Sequence, residues 1–232
     1  MPLKTAAYGL VHPLLRRARR SRWLVRRLFG VRLPPGADVA FDPTTVLLAR
    51  AVNRFAESTD RTCFEVGIGA GALVSLAFAR RRARAGEPIS VAGCDCVPRR
   101  VASAQAVAAY NALRGEFFHG DLFGGVGNRR FDLILFNPPY VPTAVGEALR
   151  LNTRLTDERA MWDGGSDGLA VLREFLAQAP RRLAPGGRVL FGVQHVFVAD
   201  GAVRAAINAS PLRLVQAYRR FGVPAEVYVA QG

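Results

Sequence analysis

One run restricts the folds open to this chain more than any other feature: Thr62 to Val66, then Gly67-Ile68-Gly69-Ala70-Gly71, then an Ala- and Leu-rich stretch to about Arg84. The first five residues read as a short strand, the alternate glycines permit a sharp turn, and the apolar stretch reads as a helix. Such a turn lets a ligand approach backbone N–H groups at a helix N-terminus. The third glycine arrives one residue too early for the dinucleotide spacing G-x-G-x-x-G.

The elements that follow repeat the alternation. A strand over 89–94 ends at Asp95, placed to accept both hydroxyls of a ribose. A helix over 98–113 and a strand over 116–119 lead to Gly120-Asp121, where a carboxylate next to a strand end is positioned for an adenine amino group.

The next strand signal, Phe131 to Phe136, runs straight into Asn137-Pro138-Pro139-Tyr140. Two consecutive prolines remove two backbone donors and fix two φ angles, so the Asn137 and Pro138 carbonyls stay available as acceptors. The Asn137 side-chain oxygen is a third, and the flat face of Tyr140 lies beside them. Acceptors grouped at a strand end against an aromatic ring suit a planar –NH2 group, either an amide or an amino-substituted base.

Length and composition bound the remainder. At 232 residues and 50% hydrophobic, one full-sized α/β core is the expectation. The net charge of +14 is uneven: Lys4, Arg16, Arg17, Arg19, Arg20, Arg22, Arg26, Arg27 and Arg32 all precede the first acid, Asp38. Interleaved with them, Leu10, Val11, Leu14, Leu15, Ala18, Leu24, Val25 and Leu28 are compatible with an amphipathic helix, joined by Trp23 and Phe29. This basic arm either packs on the domain by its apolar side or contacts phosphate or membrane surfaces. A Pro- and Gly-containing linker over 34–43 follows, after which Thr44 is expected to cap a helix carrying Val46 to Phe55.

Cys63, Cys94 and Cys96 are an odd set without a second thiol pair, which excludes a disulfide framework and leaves a metal site short of ligands. His12, His119 and His195 are scattered, so no metal is expected. No run is apolar over the ~18 residues of a membrane span, and a cytoplasmic location is the expectation. Oligomeric state leaves no trace in the sequence.

Strand, glycine turn, helix, strand, acid, helix, strand, acid, then strand and NPPY is an order that resembles the class I S-adenosylmethionine-dependent methyltransferases. Beyond NPPY, Asp163-Gly164-Gly165-Ser166-Asp167-Gly168-Leu169 resembles the D-G-G-x-D-G-L stretch of the HemK family, which methylates the side-chain amide of glutamine in proteins such as release factors. Asp42-Pro43-Thr44-Thr45 is similar to a short Pro- and Thr-containing motif of the same family. The resemblance implies a Rossmann-like seven-stranded, mostly parallel sheet with helices on both faces and an antiparallel last strand. It implies S-adenosylmethionine as cofactor, with Glu65, Gly67, Gly69 and Gly71 at its methionine part, Asp95 at its ribose and Asp121 by its adenine. Asn137, Pro138 and Tyr140 would then hold the nitrogen to be methylated, most directly a glutamine side chain of a protein. An exocyclic amine of an RNA or DNA base, reached through the basic arm, and a small-molecule acceptor are the alternatives. The family's bacterial release-factor enzymes carry a larger helical N-terminal domain, whereas here a basic arm over residues 1–41 precedes a methyltransferase domain over 42–232.

Overall fold

The computed structural model describes residues 19–151 and 156–232. The arm residues Lys4, Leu10, Val11, Leu14, Leu15, Arg16, Arg17 and Ala18 lie outside the described residues. Seven strands form one sheet: β1 (Thr62–Val66), β2 (Ser90–Asp95), β3 (Glu116–His119), β4 (Phe131–Phe136), β5 (Leu183–Gln194), β6 (Arg213–Arg219) and β7 (Ala225–Gln231). Their spatial order is β3-β2-β1-β4-β5-β7-β6. Only β7 runs antiparallel to its neighbours, β5 and β6. The order reverses between β1 and β4, which pair from Cys63 with Leu133 to Val66 with Phe136. The loops after these two strands therefore diverge and leave a crevice at their C-terminal ends.

Both faces of the sheet are covered because the central strands are apolar on both. Cys63, Leu133 and Leu135 point into one core layer, with α2 (Pro43–Phe55), α3 (Leu73–Arg84) and α4 (Pro98–Tyr110). Phe64, Val66, Ile134 and Phe136 point into the other, against α6 (Ala170–Gln178) and α7 (Asp200–Asn208). In that second layer Phe175 lies 4.8 Å from Phe136 and 5.8 Å from Phe123, an aromatic floor beneath the crevice.

The basic segment closes onto the first layer. Helix α1 (Arg22–Phe29) buries Val25 and Phe29, and Val31, Leu33 and Val39 of the following linker join the same core. Helix α2 begins two residues earlier than expected: Asp42, not Thr44, is its N-cap. Asp42 Oδ1 accepts from the Thr45 backbone N–H at 2.7 Å, and the Thr45 hydroxyl accepts from the Asp42 N–H at 3.3 Å. Pro43 occupies the first helical position, where its missing N–H is not needed and its φ is already helical. Thr44 is buried instead and turns its hydroxyl toward the crevice network described below. Among the described residues, no helix is long and apolar enough to cross a membrane.

Candidate active site

The crevice is a cleft of about 560 Å³ lined by the loops after β1, β2, β3 and β4, the start of α2 and the end of β5. Glu65, Gly67, Gly69, Gly71, Asp95, Asp121, Asn137, Pro138 and Tyr140 all line it. Residues separated by up to 75 positions are thus brought to one place by the parallel sheet.

On the β1 side the backbone shapes the wall. Gly67 and Gly69 take φ of +62° and +56°, a region closed to most side chains. Gly71 is needed for space: a Cβ there would sit 2.7 Å from Val39 Cγ1, where the linker crosses the loop. Asp95 is 3% exposed and joins two loops. Its Oδ2 accepts from the Gly69 N–H at 2.9 Å and its Oδ1 from the Val97 N–H at 3.0 Å, with Arg100 Nη1 3.6 Å away. A carboxylate offers about four acceptor positions, so capacity remains for a diol.

Glu65 is buried beneath the glycine turn. Helix α3 starts from Ala72 in the left-handed region with no side chain of its own as cap, and Glu65 fills that role, accepting from the Ser75 N–H at 2.9 Å and from the Ser75 hydroxyl. Burial pushes its pKa up to about 7, against the pull of the Ser75 and Val74 hydrogen bonds. Asp121 is exposed at the cleft edge next to the end of β3.

On the β4 side a side-chain network does the shaping, and its hub is Asp42. Asn137 Nδ2 donates to Asp42 Oδ1 and to Thr45 Oγ1, each at 3.2 Å. The Tyr140 hydroxyl donates to Asp42 Oδ2 at 2.6 Å and lies 2.9 Å from Thr44 Oγ1. Gln194 Nε2, at the end of β5, donates to the Tyr140 hydroxyl at 2.7 Å and reaches Asp42 Oδ2 at 3.1 Å. With Nδ2 held by the carboxylate, the Asn137 Oδ1 has no hydrogen-bond partner among the described residues. An orphaned buried acceptor in a cleft-lining residue fits a ligand that brings N–H donors.

The loop that follows Trp162 clamps the turn from behind. Val141 N–H donates to the Trp162 carbonyl at 2.8 Å, and the Gly164 N–H to the Val141 carbonyl at 2.9 Å. Asp163 Oδ1 accepts from the Thr143 hydroxyl at 2.6 Å and the Gly165 N–H at 3.0 Å, while Arg159 Nε donates to Oδ2 at 2.7 Å. Burial pushes the Asp163 carboxyl up, but these hydrogen bonds outweigh it and hold it below its ordinary range. Gly168 comes so close to the Tyr140 carbonyl that a Cβ would lie 2.6 Å from it. The D-G-G-x-D-G-L stretch is therefore a brace for Tyr140 to Thr143.

Sequence reasoning missed Gln194 and the central place of Asp42. The Asp42-to-Thr45 spacing was a readable capping signal, whereas Gln194 at the end of an apolar strand carried none. His195 also has company that its isolation in sequence concealed. Pairing of β5 with β7 brings it to Glu226, with Nε2 2.7 Å from Oε2, and Asp200 is close by. Arg204 and Arg219 neutralise those acids.

The fold and cleft are those of a doubly wound α/β protein that binds its ligand at the switch point. The chain belongs to the methyltransferase small domain family, which matches residues 37–158. A release factor glutamine methyltransferase of Geobacter sulfurreducens is 35% identical over 190 residues, covering 78% of this chain and 63% of that protein. The chain thus spans less than two thirds of that relative's length. Among solved structures, a ribosomal-protein methylase from Lactobacillus delbrueckii subsp. bulgaricus superposes with a TM-score of 0.62 at 18% identity, over 87% of this chain and 84% of that one. A 16S rRNA N2 methyltransferase of Thermus thermophilus, solved with AdoMet and guanosine, gives 0.55 at 22% identity over 82% of this chain and 43% of that one. Both carry the same fold.

Proposed function

We propose that this protein is an S-adenosylmethionine-dependent N-methyltransferase whose acceptor is the side-chain amide of a glutamine in a protein, of the kind found in release factors. The observation that carries the reading is the Asn137 side chain, whose amide is turned so that its oxygen is the atom left without a partner. The name of the Geobacter relative points the same way.

The residues present fit the cofactor. Gly67, Gly69 and Gly71 give the backbone access that its methionine part requires, buried Glu65 and Asp95 supply negative charge for a cationic ligand and acceptors for ribose hydroxyls, and Asp121 stands at the cleft edge for the adenine. When bound, S-adenosylmethionine supplies a methyl group already made electrophilic by its sulfonium.

The chain's own residues then have to place the nitrogen. An amide nitrogen is a weak nucleophile because its lone pair is delocalised into the carbonyl. Asn137 Oδ1 and the Pro138 carbonyl accept its two N–H bonds, which turns the lone pair toward the methyl group and stabilises positive charge developing on the nitrogen. With the cofactor bound, the amide nitrogen would accept the methyl group as the sulfonium sulfur leaves, and would afterwards give up a proton to solvent. Tyr140, its hydroxyl tied into the Asp42 network, offers its ring as a fixed wall against which the amide lies flat.

We assign this chemistry to residues 42–232, with residues 1–41 as a basic arm and linker, in a cytoplasmic enzyme. A second reading, methylation of an exocyclic base amine in nucleic acid, is favoured by one feature. Arg26, Arg32, Arg80 and Arg84 lie near enough for their charges to act on one another, a group of cations suited to a phosphate backbone. The test incubates the purified chain with methyl-labelled S-adenosylmethionine and an unmethylated cell extract, then separates protein, nucleic acid and small molecules. Label in a protein band is the expected result. Label confined to RNA or DNA would replace this reading with the second one.

A further inference from the structure

Gln194 is 2% exposed and lines the same cleft as Asn137. Like Asn137, it has a buried side-chain oxygen with no partner among the described residues. The coincidence has one origin. Asp42 Oδ1 takes Asn137 Nδ2 at 3.2 Å, and Asp42 Oδ2 takes Gln194 Nε2 at 3.1 Å. Turning either amide over would set its carbonyl oxygen against the carboxylate, so the orientation of both is dictated by charge. Asp42 is itself fixed by the Thr45 N–H and hydroxyl, both at 2.7 Å, at the start of α2. The Tyr140 hydroxyl spends its proton on Asp42 and accepts from Gln194, so it offers the cleft no proton to offset the two bare acceptors. Each unpaired buried acceptor carries a desolvation cost that a substrate N–H removes.

We propose that Asp42 and Gln194 make the acceptor side of this cleft selective for N–H donors. Asp42 is a positioning residue that sets which end of the Asn137 amide meets the substrate. Gln194 is a specificity residue whose Oε1 accepts a second N–H from the same substrate, that of the polypeptide backbone beside the methylated glutamine. The inference rests on the glutamine reading and deepens it, since it states why glutamine enters and glutamate does not. A carboxylate would meet two amide oxygens held in place by a second carboxylate, that of Asp42.

The test uses the full chain and two peptides that differ only in carrying glutamine or glutamate at the methylated position. Asp42→Asn frees Asn137 to turn over, because an amide at position 42 no longer demands a donor. Turnover of the glutamine peptide should fall by roughly 30-fold or more while affinity for S-adenosylmethionine stays within about threefold, the split expected for an interaction used in transfer. The glutamate peptide, a poor competitor of the wild-type enzyme, should become an effective one. In an Asn137→Ala background the same change should cost less than about threefold, since coupled residues are not additive. Gln194→Met, similar in size but without an acceptor, should raise KM for the glutamine peptide by about tenfold, a larger factor than the accompanying loss in kcat from the donor it also removes.

Undiminished turnover in Asp42→Asn, full additivity with Asn137→Ala, or an unaltered KM in Gln194→Met would overturn the proposal. A readout without turnover separates its failure from that of the glutamine reading. In a ¹⁵N spectrum, the Asn137 side-chain NH2, assigned by its loss in Asn137→Ala, should exchange slowly with solvent in wild type and rapidly in Asp42→Asn. Equal exchange in both would remove the positioning role whatever the enzyme methylates, whereas a difference in exchange without methylation of any protein would refute only the glutamine reading.

Discussion

The loops that follow β1 and β4 face each other across one cleft, and they are held in opposite ways. The first is built from backbone: two glycines with positive φ, a third that leaves room for Val39, and two acids that satisfy N–H groups within or beside the turn. The second is built from side chains that come from far away in sequence. Asn137 is bonded to Asp42 across 95 positions, and Gln194 to Tyr140 across 54. A cofactor that is always the same suits a rigid, locally encoded cradle. On the proposed function a reacting nitrogen has to be oriented by particular atoms, and the atoms proposed for it, on Asn137 and Gln194, are held by a carboxylate on another element.

If the two halves divide the work in this way, changes in them should separate transfer from binding. The largest effect is expected from Asn137→Ala: turnover should drop by about 10²–10³, as for loss of an oriented group that stabilises developing charge. Cofactor affinity, measured by calorimetry, should stay within about threefold. Equal losses in both would erase the distinction. Asp95→Ala should do the reverse, weakening cofactor binding by about 10- to 100-fold through loss of hydrogen bonds to a charged group, with turnover at saturating cofactor little altered.

Asp163→Ala sharpens the comparison by removing a brace without touching the cleft's reacting groups. It deletes three hydrogen bonds behind the NPPY turn and should lower stability by about 1–3 kcal/mol. The accompanying loss should fall on turnover. Should cofactor affinity fall instead, the brace would belong to the other half.

The smallest effect concerns Glu65. Its pKa rises from 4.5 in the ordinary state to about 7 in the fold because it is buried. The folded protein therefore holds a proton that the unfolded chain has released between these values. Stability linked to Glu65 is fully present below about pH 4.5, declines as the pH rises, and levels off above about pH 7. Glu65→Gln should flatten that part of a denaturation-against-pH profile. Binding of the cationic cofactor to wild type should strengthen as the pH rises through 7, and the variant should lose this dependence.

The difference between the loops also governs what could be read in the sequence. Strands β1 and β3 fall at the expected residues, because short apolar runs bounded by glycine and acid are local signals. Helix α4 stops at Tyr110, short of the expected 113, because Ala112 adopts a φ of +52° that no composition announces. Helix α5 (Thr143–Ala148) went unseen; it is six residues long and exists because Gly146 lets it close on the Trp162 ring. Every motif residue expected in the cleft does line it. The network that orients Asn137 was hidden, since a glutamine at a strand end and an aspartate that reads as a helix cap acquire this further role only where the start of α2 meets the ends of β4 and β5.

The most direct test of the account is residue-level identification of the product by mass spectrometry after reaction with labelled S-adenosylmethionine. It predicts a methyl group on the side-chain nitrogen of a single glutamine in a protein, absent when Asn137→Ala replaces the wild type. A methyl group on the exocyclic nitrogen of a base, or on an oxygen of any acceptor, would contradict it.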